Sequence, residues 1–136
     1  MAGFLKPKLF MLSRKILIVD DDYDDCELLK ESLSTKGITE CIIVQSAEDA
    51  LKKLDELESL PDLIVLDLHM PKTGGVEFLT TLKNHSRFKD IDVIIYSSSV
   101  LTVHKKEVLA IGAKEFIQKP IEVKEFEEIV EKMLKS

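Results

Sequence analysis

The sequence predicts an α/β fold: a five-stranded parallel sheet with helices packed on both faces. Three observations lead there. Short apolar runs rich in Val and Ile recur along the chain at even intervals. The segments between them repeat their apolar residues at the three- and four-residue spacing of a helix. Acids, hydroxyls and one amine are gathered just after four of the five runs, where a parallel sheet of this kind places its ligands.

The runs are Ile16–Val19, Ile42–Val44, Leu63–Leu66, Val93–Ile95 and the weaker Phe116–Ile117. Each is too short for a buried helix, and the β-branched content suits a strand covered on both faces. The first helix is expected from about Tyr23 to Thr35, with Cys26, Leu29 and Leu33 on one face. The second opens at Ser46, where Ser46 and Asp49 have the spacing of an N-cap with an acidic third position, and Ala50, Leu51, Leu54 and Leu57 continue it. The third, Val76–Leu82, follows the Gly74–Gly75 pair, which reads as a turn rather than a phosphate loop because the Walker pattern and its Lys are missing. The fourth, Val103–Ile111, ends at Gly112 as a C-cap. The fifth, Val123–Leu134, carries Phe126, Ile129, Val130 and Met133 at helical spacing. Such alternation requires right-handed crossovers, and hence a parallel sheet with helices on each side.

The totals agree with one domain. A chain of 136 residues, 45% apolar and 32% charged, has room for a substantial core. Its net charge of -6 argues against direct binding of nucleic acid, which needs clustered Lys and Arg. No apolar run approaches the roughly 20 residues of a membrane span. Cys26 and Cys41 have no metal-ligand spacing and read as buried thiols in a reducing cytoplasm. The domain is expected over residues 15–136. Residues 1–14, MAGFLKPKLFMLSR, read as an arm, disordered or a leader: Lys6, Pro7 and Lys8 interrupt any secretory apolar core, and Met11 offers a second start.

The stretch KILIVDDDYDDCELL carries the chemistry. Five aspartates occupy the six positions after Val19. Two carboxylates about 4 Å apart repel by roughly 4 kcal/mol at an effective dielectric of 20, so something must compensate them. After the third run comes Asp67, after the fourth Ser97, Ser98 and Ser99, and after the last Lys119. A hard divalent cation fits this set, since Mg2+ takes one or two carboxylates together with waters and phosphate oxygens. Asp20, Asp21 and Asp67 would share the ion, and Lys119 would be a partial counter-ion without it. Asp22, Asp24 and Asp25 open the first helix, where acids cap the end and favour the dipole.

These residues resemble the response-regulator receiver domain of two-component signalling, in its stand-alone, chemotaxis-regulator-like form. The matching stretches are ILIVDDD (Ile16–Asp22), DLIVLDLHMPKTGG (Asp62–Gly75), VIIYSSS (Val93–Ser99) and GAKEFIQKP (Gly112–Pro120). The resemblance implies a flavodoxin-like, doubly wound fold with strand order 2-1-3-4-5. It implies that Asp67 is the phosphoacceptor for a histidine kinase or phosphotransfer protein. By position, Asp21 would contact Mg2+ directly, Asp20 through water, and the backbone carbonyl of His69 would be a further ligand. Ser97 stands at the hydroxyl position that follows the phosphoryl group inward, Lys119 at the amine position that pairs with it, and Phe116 at the aromatic switch position. The Lys119–Pro120 bond is usually cis in this family. The protein would be no enzyme toward other substrates, catalysing only its own phosphorylation and dephosphorylation. It would signal to a separate, unknown protein target in the cytoplasm, as a monomer or a phosphorylation-dependent dimer, with no contact to nucleic acid or membrane.

Three departures bear on function, of which one, Ser97 in place of Thr, keeps the hydroxyl. His69 lies where the family varies widely, and an imidazole there is either an ordinary exposed side chain or one that tunes dephosphorylation. Phe116 has no phenolic hydroxyl, so a switch at that position rests on ring packing. Three rivals exist. A serine hydrolase lacks its G-x-S-x-G elbow, and neither His85 nor His104 has an assigned acid. A Mg2+-dependent phosphatase with an Asp nucleophile would need a second acid where His69 stands. A non-phosphorylated binding or dimerisation module would show loss of an acid or the Lys, and all are present.

Overall fold

The computed structural model describes residues 14–70, 72–98 and 102–135, without the side chains of Thr102 and Val103. Strands β1 (Lys15–Val19), β2 (Glu40–Val44), β3 (Leu63–Leu66), β4 (Asp92–Ser97) and β5 (Glu115–Gln118) alternate with five helices. These are α1 (Tyr23–Thr35), α2 (Ala47–Glu56), α3 (Gly75–Lys83), α4 (Thr102–Ile111) and α5 (Val123–Lys135). All neighbouring strands are parallel, in the order β2-β1-β3-β4-β5. This is the flavodoxin-like arrangement that the family resemblance implied.

Alternation along each strand sorts the core into two layers, because successive side chains point to opposite faces. Leu17, Val19, Ile64, Leu66, Val93, Ile95 and Phe116 pack against Leu54 of α2, Phe78, Leu79 and Leu82 of α3, and Val108 of α4. Ile16, Ile18, Leu63, Val65, Ile94, Tyr96 and Ile117 face the other way, onto Cys26, Leu29 and Leu33 of α1 and Phe126, Val130 and Met133 of α5. β1 and β3 are therefore sealed on both sides, which is why they read as unbroken apolar runs. Each fully buried Leu or Ile contributes about 1.5–3 kcal/mol.

Several local expectations hold in detail. Ser46 caps α2 by accepting from the Asp49 amide at 3.0 Å. Asp22 caps α1 by accepting from the Asp25 amide at 3.1 Å. Gly112 adopts a φ of +132°, a left-handed conformation that a side chain would resist.

Other details differ. β2, β4 and β5 run beyond their apolar residues to include Glu40, Asp92 and Glu115, since backbone pairing continues where the side chain reaches solvent. Leu57 is extended, with ψ of 130°, and ends α2 rather than continuing it. Cys41 is half-buried, on edge strand β2, whereas Cys26 is buried. The Lys119–Pro120 bond is trans, unlike the cis form the family resemblance implied. Of the arm expected over residues 1–14, only Arg14 is among the described residues, and its guanidinium donates to the Leu134 carbonyl at the end of α5 at 2.9 Å.

One glycine fixes how the strand β3 exit meets α3. A Cβ at Gly75 would stand 2.5 Å from the Asp67 carbonyl oxygen and 2.6 Å from the Leu68 Cα, both backbone atoms with no freedom to swing aside. Gly75 is thus the residue that lets the helix start against the Asp67 loop. Gly75→Ala should lower unfolding free energy in urea by about 1–3 kcal/mol, the usual effect of overpacking. An unchanged midpoint would show that the loop yields freely.

Candidate functional site

The site lies at the carboxyl edge of β1, β3, β4 and β5, and the sheet ladder itself holds its residues. The Asp20 amide donates to the Val44 carbonyl at 3.1 Å, and the Asp67 amide to the Val19 carbonyl at 2.9 Å. The Lys119 amide donates to the Ser97 carbonyl at 2.8 Å. Each of these side chains therefore projects from backbone locked to its neighbour strand, not from a loose loop. Ligand oxygens of Asp20, Asp21 and Asp67 all lie within 4.8 Å of one another. Asp20 and Asp67 are 3% and 5% exposed, while Asp21 is open to solvent.

Hydrogen bonds orient the cluster. Asp20 accepts from the Asp22 amide through Oδ1 at 2.9 Å and from the Lys119 ammonium through Oδ2 at 2.7 Å. Beneath it, the Cys26 thiol donates to the Asp20 carbonyl at 3.5 Å. Asp67 Oδ1 is buried without a hydrogen-bond partner among the described residues, and so is the Ser97 hydroxyl. Burial pushes the Asp20 carboxyl up to about 6; the bond from Lys119 opposes this and the nearby Asp67 charge adds to it. Burial alone would pull Lys119 down, but its bonds to Asp20 and Asp25 outweigh that and hold it above the ordinary lysine value. Lys119 is therefore an ammonium throughout the working pH range.

The expected residues largely meet. Asp20, Asp21 and Asp67 form one cluster, and Lys119 joins it through Asp20. Its ammonium pairs with Asp20 and Asp25, and makes no ion pair with Asp67. Asp25 was expected only to favour the start of α1; its carboxylate instead holds Lys119 at 2.9 Å. Helix spacing gave Asp25 a sufficient local role, so nothing in the sequence pointed across the sheet to position 119. Ser97 and Phe116 share the sheet face of α2, α3 and α4, the hydroxyl fully buried and the ring 8% exposed. Phe116 therefore already lies inside rather than waiting at the surface. The His69 side chain is exposed, and among the described residues no hydrogen bond engages its backbone carbonyl. Ser99 lies outside the described residues.

The donor set is all oxygen, two of its three carboxylates are buried, and one buried carboxylate oxygen lacks a partner. That suits a small hard cation such as Mg2+, and among the described residues no nitrogen or thiol ligand joins the cluster. A serine hydrolase is not supported: among the described residues no hydrogen bond joins His85 or His104 to a serine or an acid. His85 instead stacks on Phe88 at 4.0 Å and accepts from the Arg87 amide.

Comparison with known proteins gives the same picture. A family model for the response regulator receiver domain matches residues 16–131. The probable C4-dicarboxylate response regulator DctR of Bacillus subtilis is 30% identical over 119 residues, which is 87% of this chain and 51% of DctR. The transcriptional regulatory protein CpxR of Escherichia coli is 35% identical over 111 residues, 82% of this chain and 45% of CpxR. The chain thus spans about half the length of these two relatives. Among solved structures, the phosphorylated cyanobacterial phytochrome response regulator RcpA matches with a TM-score of 0.81 at 28% identity, covering 88% of this chain and 90% of RcpA. The Mn2+-bound form of response regulator Rcp1 matches with a TM-score of 0.80 at 27% identity, covering 88% and 90%.

The raised Asp20 value has a testable consequence. A cation binding the ionised cluster must displace a proton from Asp20 below about pH 6. Mg2+ affinity measured by calorimetry should be level above that pH and fall roughly tenfold per unit below it. Affinity that stayed constant down to pH 5 would mean that Asp20 is ionised throughout. For folding without a cation the sign is adverse. Between the unfolded value of 3.8 and the folded value of about 6, the folded chain holds a proton the unfolded chain has released, so this group's contribution falls as pH rises.

Proposed function

We propose that this chain, which belongs to the response-regulator receiver family, takes a phosphoryl group onto Asp67 from a histidine kinase or phosphotransfer protein and answers by changing its affinity for a separate protein. The observation that carries this reading is the buried Asp67 carboxylate, one oxygen unpartnered, inside an acid cluster that Lys119 neutralises in part. Receiver domains are signalling modules that interact with such kinases, so the family fits a phosphoacceptor role. The phosphorylated form of RcpA and the Mn2+-bound form of Rcp1 support the same chemistry here.

An Asp67 oxygen attacks the phosphorus of a phosphohistidine; the P–O bond forms as the P–N bond breaks, and the electron pair returns to the imidazole. No general base is needed, because an ionised carboxylate carries no proton to remove. Asp20, Asp21 and Asp67, with the His69 carbonyl, would hold Mg2+, which when bound stabilises the charge on the transferred group. Lys119 supplies a second positive charge that requires no proton movement. The Ser97 hydroxyl donates to a phosphoryl oxygen, which gives it the partner it lacks. Phe116 lies on the same sheet face as Ser97 by strand alternation and packs with Val108 of α4, so that face is where a shift of Ser97 would be felt.

We place the reaction in the cytoplasm, the compartment in which Cys26 and Cys41 stay free thiols. The domain is taken as residues 15–136, acting as a monomer or a phosphorylation-dependent dimer. A phosphatase acting on other substrates is the weaker reading, since exposed His69 stands where its second acid would be.

Two variants test the assignment. Asp67→Asn should abolish Mg2+-dependent labelling by a small phosphodonor, read by mass spectrometry; labelling at an unchanged rate would remove Asp67 from its role. Ser97→Ala should still be labelled but lose the phosphate-dependent capture of its partner. Normal capture by that variant would sink the switch through Ser97.

A further inference from the structure

The function proposed above uses one face of Lys119; the structure gives it two. Its ammonium donates to Asp20 at 2.7 Å and to Asp25 at 2.9 Å, and makes no ion pair with Asp67. The two partners differ in kind. Asp20 is buried on the locked end of β1 and shares the acid cluster with Asp67. Asp25 stands on the first turn of α1 with its side chain 45% exposed, on the wall of a groove that also includes Leu28, Tyr96 and Phe126. Asp25 does not cap the helix, for the Asp22 side chain does that by accepting from its amide.

An ammonium has three N–H donors, and two are committed. Turning toward a phosphoryl group on Asp67 is compatible with keeping Asp20, because Asp20 and Asp67 oxygens already lie within 4.8 Å of each other. Asp25 is the more exposed of the ammonium's two partners and lies outside the acid cluster, so the bond to Asp25 is the one that competes with a move toward Asp67. A side chain that pairs with Lys119 in one state and not the other biases the equilibrium between them by that difference.

We propose that Asp25 is a positioning residue: it holds the Lys119 ammonium in an outer position shared with Asp20, and the lysine leaves Asp25 when a phosphoryl group is on Asp67. This rests on the function proposed above. Asp25 thereby weakens the hold on the phosphoryl group and shortens the life of the signal. The pair is half-exposed, so its effect is that of a modest ion pair rather than a buried one.

The test measures beryllofluoride affinity of the whole chain in Mg2+ by titration calorimetry, with beryllofluoride as the phosphoryl mimic. Asp25→Asn should tighten binding by about fivefold and slow loss of label from phosphorylated protein by a similar factor. Asp25→Glu, which restores a carboxylate, should return toward wild type. Asp24→Asn removes the same charge one residue away, from a side chain with no bond to Lys119, and should change nothing. A gain in affinity is a result that mere damage to the fold does not produce. Asp25→Ser carries the same expectation should the Asn variant fail to fold. Binding by Asp25→Asn equal to or weaker than wild type, or an equal gain in Asp24→Asn, would overturn the inference while leaving the proposed function intact. A wild-type chain that binds no beryllofluoride would overturn the proposed function, and the inference with it.

Discussion

Three carboxylates held within 4.8 Å of one another are the constraint around which the molecule is built. At an effective dielectric of about 20, the buried pair Asp20 and Asp67 at that separation costs up to roughly 3–4 kcal/mol, and pairs with exposed Asp21, screened by solvent, cost less. That is comparable to a large part of a domain's net stability, so the acids cannot hold themselves together. The sheet does it. β1 and β3 are central strands, paired on both edges and covered on both faces, and their ladder continues one residue further to Asp20 and Asp67. Moving either acid away means breaking a backbone bond at the most buried part of the molecule. Lys119 relieves some of the repulsion from β5, itself tied to β4 by the same kind of bond.

The same alternation that sorts the core also divides the work of the site. Lys119 continues β5 on the side of Ile117, toward Tyr96, where its ammonium lies 5.7 Å from the ring centroid. Asp25 belongs to α1, on that side too. Ser97 continues β4 on the side of Ile95, with Phe116 and Val108. Charge compensation is therefore served from the α1–α5 layer, and the hydroxyl and ring from the α2–α4 layer. A phosphoryl group on Asp67, as proposed above, would stand at the edge these two layers share. On the proposed function, phosphorylation would then bear on the Lys119–Asp25 pair on one face and on the Ser97 packing on the other, with no long path between them.

Much of this could be read from the chain before folding. Strands sealed on both sides announce themselves as apolar runs, and a parallel sheet collects whatever follows them, so Asp20, Asp21, Asp67, Ser97 and Lys119 were legible by position alone. Caps were legible for a similar reason: Ser46 and Asp22 act within three residues. What escaped depends on contacts that no short spacing encodes. Asp25 meets Lys119 across 94 residues, and a helix-start role explained it well enough locally. Glu40, Asp92 and Glu115 looked like loop residues, although the ladder extends to all three. Whether the Phe116 ring lies in or out is decided by the room between β5 and α4, which composition does not set.

The inward Phe116 bears on how such a switch can work. With the ring already buried, a phosphoryl group has no large aromatic displacement to drive. What stands unsatisfied in this arrangement is smaller: the buried Ser97 hydroxyl and the buried Asp67 oxygen, each without a partner among the described residues. Leaving a buried polar group unpaired costs about 1–3 kcal/mol. A phosphoryl group on Asp67 would present an acceptor to that hydroxyl, so it favours this arrangement over any in which Ser97 already finds a partner elsewhere. A bias of that size shifts a two-state population by roughly 5- to 150-fold, enough for a signal without any large movement. On this view the apolar ring reports that the arrangement is formed, while the polar atoms decide how often it is.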